Sequence, residues 1–167
     1  MNNLFSYEML ELTSGAREVA IDLGYDYIST IHFFIADCQS QNPHSILKFG
    51  FPIEKDFEKF KAGYVKNKVD ILSLFNESLP LTKEAENTIF SAETERVRCK
   101  QFEIYPWHFF LAAIKNKDSL LYDCFRNENN VFDKLNKYYE ESGAFAKHEA
   151  IVTKKRIPLF QITKTGY

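Results

Sequence analysis

Two histidines stand within closely similar apolar segments, and histidine is the side chain best suited to acid–base chemistry near neutral pH. His32 lies in YISTIHFFIADC (residues 27–38) and His108 in EIYPWHFFLAAI (residues 103–114). A general base or a metal ligand needs a second group within reach, and neither histidine has a carboxylate or another histidine on its own helix face. We therefore expect both rings to have a structural role, hydrogen-bonded to backbone near a helix start, and we predict no metal site and no cofactor.

The chain has three cysteines, which are widely spaced within apolar segments: Cys38, Cys99 and Cys124. Their odd number and spacing predict reduced thiols rather than a disulfide framework. Cys38 and His32 are a candidate nucleophile and base, and they define the enzymatic alternative, a small Cys/His hydrolase. Glu8 and Glu84 are candidate paired carboxylates, but a place in the first helical turn explains them through the helix dipole. We predict no catalytic residues and no enzymatic activity of the chain by itself.

Composition and charge exclude several classes of function. The chain has 167 residues, 45% of them hydrophobic and 26% charged, and a formal net charge of −2. Such a chain offers no electrostatic footprint for nucleic acid, and no window reaches the 18 or so apolar residues of a membrane helix. The N-terminus also lacks the pattern of a signal peptide. We predict a cytoplasmic protein that contacts neither nucleic acid nor membrane and is monomeric as an isolated domain.

An internal repeat relates the two histidine segments. Shifting the chain by 76 residues aligns five identical residues, and the same offset aligns further residues outside these segments. The identities within the segments are Ile28 with Ile104, His32 with His108, Phe33 with Phe109, Phe34 with Phe110 and Ala36 with Ala112. The matches outside them are Glu8 with Glu84, Ala16 with Ala92 and Phe49 with Phe125, and Ser6 aligns with Thr82. A repeated unit of this length predicts a duplicated structure.

Each repeat is predicted to contain four helices. The first begins at the N-cap residue Ser6 or Thr82 and runs to position 23 or 99, where Gly24 closes the first copy. The second begins near Thr30, a plausible N-cap, or near Pro106, and is apolar nearly all round, which is typical of a buried helix. Short third helices are expected around residues 46–49 and 120–125, and fourth helices over residues 53–60 and 131–139.

The predicted fold is therefore all-α, with two tandem four-helix repeats related by pseudo-two-fold symmetry. Residues 1–141 form the double-repeat domain, with repeat one at about 4–62, a connection at 63–80 and repeat two at about 81–141. Within the connection, the sequence VDILSLF is compatible with a short helix or a strand. Residues 142–167 lose the helical period and are predicted to be an extended tail or linker.

The motifs at the start of the second helices carry a resemblance to a known family. LGYDYISTIHFFIA contains Leu23, Gly24, Ile28, Thr30 and His32, and CKQFEIYPWHFFLAA keeps Ile104, His108 and the apolar run. This pattern and the duplication resemble the N-terminal domain of the Clp/Hsp100 unfoldases, over residues 4 to about 140. The resemblance implies a non-enzymatic domain that docks substrates or adaptor proteins for a Clp ATPase ring.

The chain contains no G-x-x-x-x-G-K-[ST] phosphate loop of its own, so the resemblance covers the docking domain and not the ATPase. Two interpretations remain open within this class. One is the N-terminal domain of an unfoldase that takes up protein or peptide substrates. The other is a free-standing regulator or adaptor that binds a Clp ATPase ring.

The resemblance also implies a position for the binding site. Some family members bind phosphorylated arginine with a glutamate before the motif histidine and a hydroxyl residue at the start of the first helix. The hydroxyl positions are Ser6 and Thr82, but Ile31 and Trp107 occupy the glutamate positions and cannot supply a carboxylate to a guanidinium. We expect instead an apolar and aromatic site around Ile31 and Trp107, suited to a hydrophobic side chain or an aromatic-stacked group of a peptide. Docking there requires an exposed groove, and packing of Trp107 in the core is the alternative.

Overall fold

Two pairs of helices with matching lengths dominate the structure. The computed structural model describes residues 4–49, 57–66 and 78–145, and within these ranges it contains α-helices, one 3-10 turn and no strand beyond two isolated bridges. The elements of repeat one are α1 (Tyr7–Asp22), α2 (Thr30–Gln39), a 3-10 turn (Ile46–Phe49) and α3 (Phe57–Ala62). Those of repeat two are α4 (Lys83–Arg98), α5 (Pro106–Lys115), α6 (Leu120–Phe125) and α7 (Val131–Glu141).

The 76-residue offset holds to the residue at the helix boundaries. It maps both ends of α1 onto those of α4 and both ends of α2 onto those of α5. The predicted N-caps are confirmed: Ser6 Oγ accepts the Met9 N–H at 3.1 Å, and Thr82 Oγ1 accepts the Ala85 N–H at 3.3 Å. Each hydroxyl thus satisfies one amide that the first helical turn leaves without a partner.

The first helices also end alike. Gly24 has φ +87°, and the N–H groups of Gly24 and Tyr25 donate to carbonyls of the last turn of α1. Lys100 takes the equivalent left-handed position after α4 with φ +56°. Both ends are Schellman motifs, with a glycine in one copy and a strained lysine in the other. At the second helices the structure corrects the N-cap: Ser29 caps α2, and Thr30 is its first helical residue.

Two short parallel bridges join the repeats. Phe5 pairs with Ile104 and Leu81 with Ile28, and the 76-residue offset exchanges the two pairs. The Ser6 N–H donates to the Ile104 carbonyl at 3.0 Å, and the Thr82 N–H donates to the Ile28 carbonyl at 2.9 Å. The start of each repeat is therefore bound to the segment that leads into the second helix of the other repeat, which is the arrangement expected of pseudo-two-fold symmetry.

Helices α2 and α5 form the centre of the fold. Every residue except the last of each helix is buried, because these helices are apolar nearly all round and carry their polar groups at the ends. The two helices contact each other through Phe33 and Phe109, whose ring centroids are 4.5 Å apart. Helix α1 packs along α2, and α4 packs along α5, through the predicted amphipathic faces.

The remaining expectations fall partly outside the described residues. The short third elements are confirmed as the 3-10 turn and α6, and the fourth as α3 and α7. Residues 53–56, the VDILSLF segment and residues 146–167 lie outside the described ranges, so the domain boundaries stay predictions. The three cysteines are free, and no described helix is long and apolar enough to cross a membrane.

Candidate docking surface

The two histidines hold the starts of the second helices. His32 Nδ1 accepts the Ser29 N–H at 2.9 Å, and His108 Nδ1 accepts the Tyr105 N–H at 3.0 Å. This contact requires a ring without a proton on Nδ1. Burial, and to a smaller extent the charge of Lys66, lowers the pKa of His32 to about 4, which keeps the ring neutral. The predicted structural role of both histidines is confirmed.

The candidate nucleophile lies far from its candidate base. Cys38 and His32 are six residues apart on α2, which separates their backbones by about 9 Å along the helix axis. His32 is at the first turn of α2 and Cys38 at the last. Burial raises the pKa of the Cys38 thiol, and the neighbouring Asp37 raises it further, so the sulfur is held as a thiol. The pair that defined the hydrolase alternative is not formed.

The expected exposed groove at Ile31 and Trp107 is wrong, because both side chains are buried, each with 1% exposure. Trp107 stacks on Tyr105 with ring centroids 4.4 Å apart, and its Nε1–H donates to Gln101 Oε1 at 2.8 Å. A polar partner inside the fold allows the indole to be buried completely. Gln101 carried no sequence signal, because it lies in the loop that follows α4.

The predicted hydroxyl residues meet the second helices in crossed pairs. The bridges place Ser6 of repeat one beside the start of α5, which carries Trp107, and Thr82 of repeat two beside the start of α2, which carries Ile31. Ser6 is buried and serves as a cap. Thr82 is half-buried, and besides capping α4 it donates its hydroxyl hydrogen to Glu84 Oε1 at 2.8 Å. The four predicted residues therefore form two separate pairs rather than one site.

The carboxylate of Glu84 lies between Thr82 and the start of α2. Glu84 accepts the Thr30 N–H at 2.8 Å and the Thr30 hydroxyl at 2.7 Å, and it also accepts the Leu120 N–H at 3.3 Å. Its position in the first turn of α4 matches the sequence expectation, but its partners lie on α2 and α6. The negative charge sits at two helix starts, where the helix dipole favours it.

An open groove lies elsewhere, along α1 on the side that faces the end of α2. It encloses a volume of about 610 Å³ between α1, the last turn of α2 and the loop that follows α2. The side of the groove formed by α1 comprises Glu8, Glu11, Leu12, Gly15, Glu18, Val19 and Asp22. The opposite side comprises Ala36, Asp37, Gln39, Ser40, Gln41, Asn42 and Pro43, and Pro106 of α5 also lines the groove.

The groove combines an apolar floor with an acidic rim. Leu12 and Val19 are almost fully buried, while Glu11, Glu18 and Asp22 are exposed. Among the described residues that line the groove there is no lysine, arginine or histidine. Burial raises the pKa of Asp37 to about 6, although the Ile46 N–H at 2.7 Å and the Ser45 hydroxyl at 3.1 Å favour its charged form.

The equivalent surface of repeat two has a different chemistry. Glu95, which the offset aligns with Val19, pairs with Lys115 at 2.7 Å and with Arg98 at 2.6 Å. Lys115 also lies over the ring of Phe132, 4.1 Å from its centroid. Ion pairs therefore cross the α4 surface at the place where α1 has an open apolar floor.

Several solved structures have a fold similar to that of this chain. The N-terminal domain of the chaperone ClpD from Arabidopsis thaliana has a TM-score of 0.60 at 15% identity, covering 81% of this chain and 94% of that one. The Hsp104 N-terminal domain from Candida albicans has a TM-score of 0.63 at 18% identity, with coverage of 83% and 91%. A structure from a malarial protein secretion system has a TM-score of 0.62 at 13% identity, with coverage of 84% and 96%.

No family model and no curated protein matches the sequence. The likeness is therefore one of structure, and it extends over most of this chain and nearly all of each compared domain. It agrees with the motif resemblance and with the duplication that the 76-residue offset describes. The chain has the fold of the Clp/Hsp104 N-terminal domains.

Proposed function

We propose that this chain is a non-catalytic docking domain that takes up protein segments, as substrates or through adaptors, for a Clp-type unfoldase. The observation that carries the proposal is the open groove along α1, in a fold shared with chaperone N-terminal domains. A groove of about 610 Å³ with an apolar floor accommodates several side chains of an extended segment. A cytoplasmic location belongs to the proposal and rests on the free cysteines.

The residues predicted from sequence have a supporting role in this proposal. Ile31 and Trp107 are buried, and Ser6 caps α1. In this proposal the partner therefore contacts the α1 groove rather than these residues. Thr82 and Ser6 hold the first helices against the opposite repeat. The groove keeps its shape because α1 is fixed at its start by the Phe5–Ile104 bridge and along its length by α2.

A pair of matched substitutions tests the proposal. Gly15 lies in the groove, and a Cβ built there would be 3.4 Å from Ala36 Cβ, an ordinary contact. Gly15→Leu adds a large side chain beside the groove, and Ser91→Leu introduces leucine at the equivalent position of α4. Binding of fluorescein-labelled, permanently unfolded carboxymethylated lactalbumin is measured by anisotropy, with circular dichroism as the check on folding.

We expect Gly15→Leu to weaken binding about tenfold or more, because the segment loses the floor of its groove. Ser91→Leu should leave the affinity of the wild-type chain unchanged. Equal affinities for the wild-type chain and Gly15→Leu, or equal losses in the two variants, would contradict docking in this groove.

A further inference from the structure

We propose that the α1 groove selects segments rich in lysine and arginine. The inference rests on the proposed docking function and adds the chemical class of its ligand. Four carboxylates of α1 lie on one helix face, at successive steps of three, seven and four residues. They are, in order, Glu8, Glu11, Glu18 and Asp22.

The described residues that line the groove beside these carboxylates include no lysine, arginine or histidine. The described residues of the opposite side between positions 39 and 43 are neutral, and they offer amide and hydroxyl groups. Repeat two provides an internal contrast, since Asn87, Thr94 and Arg98 occupy the positions equivalent to Glu11, Glu18 and Asp22. The acidic rim therefore belongs to repeat one alone. Repeat two has the equivalent helix but not the carboxylates at these three positions.

The combination of floor and rim fits a basic side chain better than a purely apolar or a small cationic ligand. Lysine and arginine have apolar stems that pack on apolar surface while their charged ends remain near water. The apolar residues that line the groove are Leu12, Val19, Ala36, Pro43 and Pro106, and exposed carboxylates lie beside Leu12 and Val19. An apolar side chain would gain no attraction from the carboxylates of the rim, and a small cation would not contact the apolar floor.

The length of the rim sets the length of the segment. From Glu8 to Asp22 the helix rises about 21 Å, at about 1.5 Å per residue. An extended segment covers this distance in about six or seven residues, at about 3.3 Å per residue. Several basic side chains on such a segment can reach carboxylates of the rim at once. Attraction between exposed charges is screened by salt, so the selectivity should weaken as ionic strength rises.

Binding of a defined peptide tests the inference on the full chain. The probe is fluorescein-labelled GKLKARVKG, with counterparts in which glutamine or glutamate replaces every lysine and arginine. The groove variant is Glu11→Gln, Glu18→Gln and Asp22→Asn combined. The control variant is Glu86→Gln, Glu140→Gln and Glu141→Gln combined, which makes the same change in net charge at exposed residues outside the groove.

We expect the basic peptide to bind about tenfold or more tightly than its glutamine counterpart, and the groove variant to lose that preference. The control variant should stay within about twofold of the wild-type chain. Equal binding of the three peptides, or equal losses in both variants, would overturn the inference. If unfolded lactalbumin still bound in a manner sensitive to Gly15→Leu, the docking function would stand and the basic selectivity alone would fail.

The chain's own basic cluster, Lys154, Lys155 and Arg156, is the competing occupant. Replacing all three with glutamine distinguishes it from a partner segment. Unchanged affinity for GKLKARVKG in that variant supports a groove open to partners. A gain of about tenfold would show that the chain's own cluster occupies the groove, and would overturn the inference of a partner segment.

Discussion

The carboxylate of Glu84 holds the backbone of Thr30 and thereby joins the first helix of repeat two to the second helix of repeat one. Its two oxygens accept the Thr30 N–H at 2.8 Å and the Thr30 hydroxyl at 2.7 Å. The 76-residue offset places Glu8 opposite Pro106 in the other pair. Proline has no N–H to donate, so the backbone contact of the Glu84 pair has no counterpart there.

Glu84→Gln should therefore destabilise the chain more than Glu8→Gln. An amide keeps the shape of the side chain but loses the charge that strengthens hydrogen bonds to Thr30, for an expected cost of about 2 kcal/mol. Glu8→Gln also weakens an interaction with the helix dipole, but it breaks no contact with an amide at position 106, so we expect it to cost about 1 kcal/mol less than Glu84→Gln. Urea unfolding at pH 7 measures both free energies of unfolding, and equal losses would contradict a specific role of the Glu84 contact.

The sequence contained enough to predict the fold but not the site. Helix bounds follow from caps and apolar periodicity, which are local, and the 76-residue offset repeats the caps of the first helices, Ser6 and Thr82, and the apolar runs of the second helices. The crossed pairing of each cap with the opposite repeat depends on how the repeats pack, which periodicity does not encode. The sequence left exposure and core packing of Trp107 both open, because its partner in the fold, Gln101, is in a loop without a pattern of its own.

The α1 groove was missed for a related reason. Its acidic residues are spaced as on any solvated helix face, and sequence alone does not show that Leu12 and Val19 form a concave floor between them. The contrast between the α1 and α4 faces was present in the aligned repeats. Its consequence is visible only in the structure, where Glu95 on α4 pairs with Lys115 and Arg98, while the equivalent face of α1 lines an open groove.

Adjacent tyrosines on α7 should respond oppositely to loss of their hydroxyls. The Tyr138 hydroxyl donates to the Ser45 carbonyl at 2.9 Å, whereas the buried Tyr139 hydroxyl finds no hydrogen-bond partner among the described residues. Burying a polar group without a partner costs free energy, so Tyr139→Phe should raise stability by about 1 kcal/mol. Tyr138→Phe should lower it by about 1 kcal/mol.

Chemical denaturation of these two variants beside the wild-type chain measures the difference. A loss of stability in Tyr139→Phe would indicate that its hydroxyl has a partner, such as a buried water. Because the two substitutions remove the same atom from neighbouring residues of one helix, changes in helix propensity cancel between them.

Replacing Lys100, the residue with left-handed backbone after α4, by glycine should stabilise the chain. Lys100 has φ +56°, a conformation that costs an L-residue about 1 kcal/mol and costs glycine nothing, as Gly24 illustrates at the equivalent position. Glycine also loses more freedom on folding, so Lys100→Gly should raise the midpoint of thermal unfolding modestly, for a gain of about 0.5 kcal/mol. Lys100→Ala keeps the strain and should give no gain, and equal midpoints for the two variants would contradict this account.

His32 should make the stability of the chain depend on pH. Its pKa in the folded chain is about 4, lowered from 6.5 first by burial. Between these values the unfolded chain binds a proton that the folded chain does not, so the contribution of His32 is fully present above pH 6.5 and is lost as the pH falls towards 4. The full loss amounts to about 3 kcal/mol.

Replacement by glutamine isolates this effect. Glutamine at the third position of a helix can accept the amide of the N-cap residue, so His32→Gln keeps an acceptor for the Ser29 N–H without a titrating ring. Asp37, whose pKa is raised to about 6, acts in the opposite direction over part of this range. The informative quantity is therefore the difference in unfolding free energy between the wild-type chain and His32→Gln at each pH. That difference should shrink as the pH falls from 7 to 5, and a constant difference would contradict a buried neutral histidine.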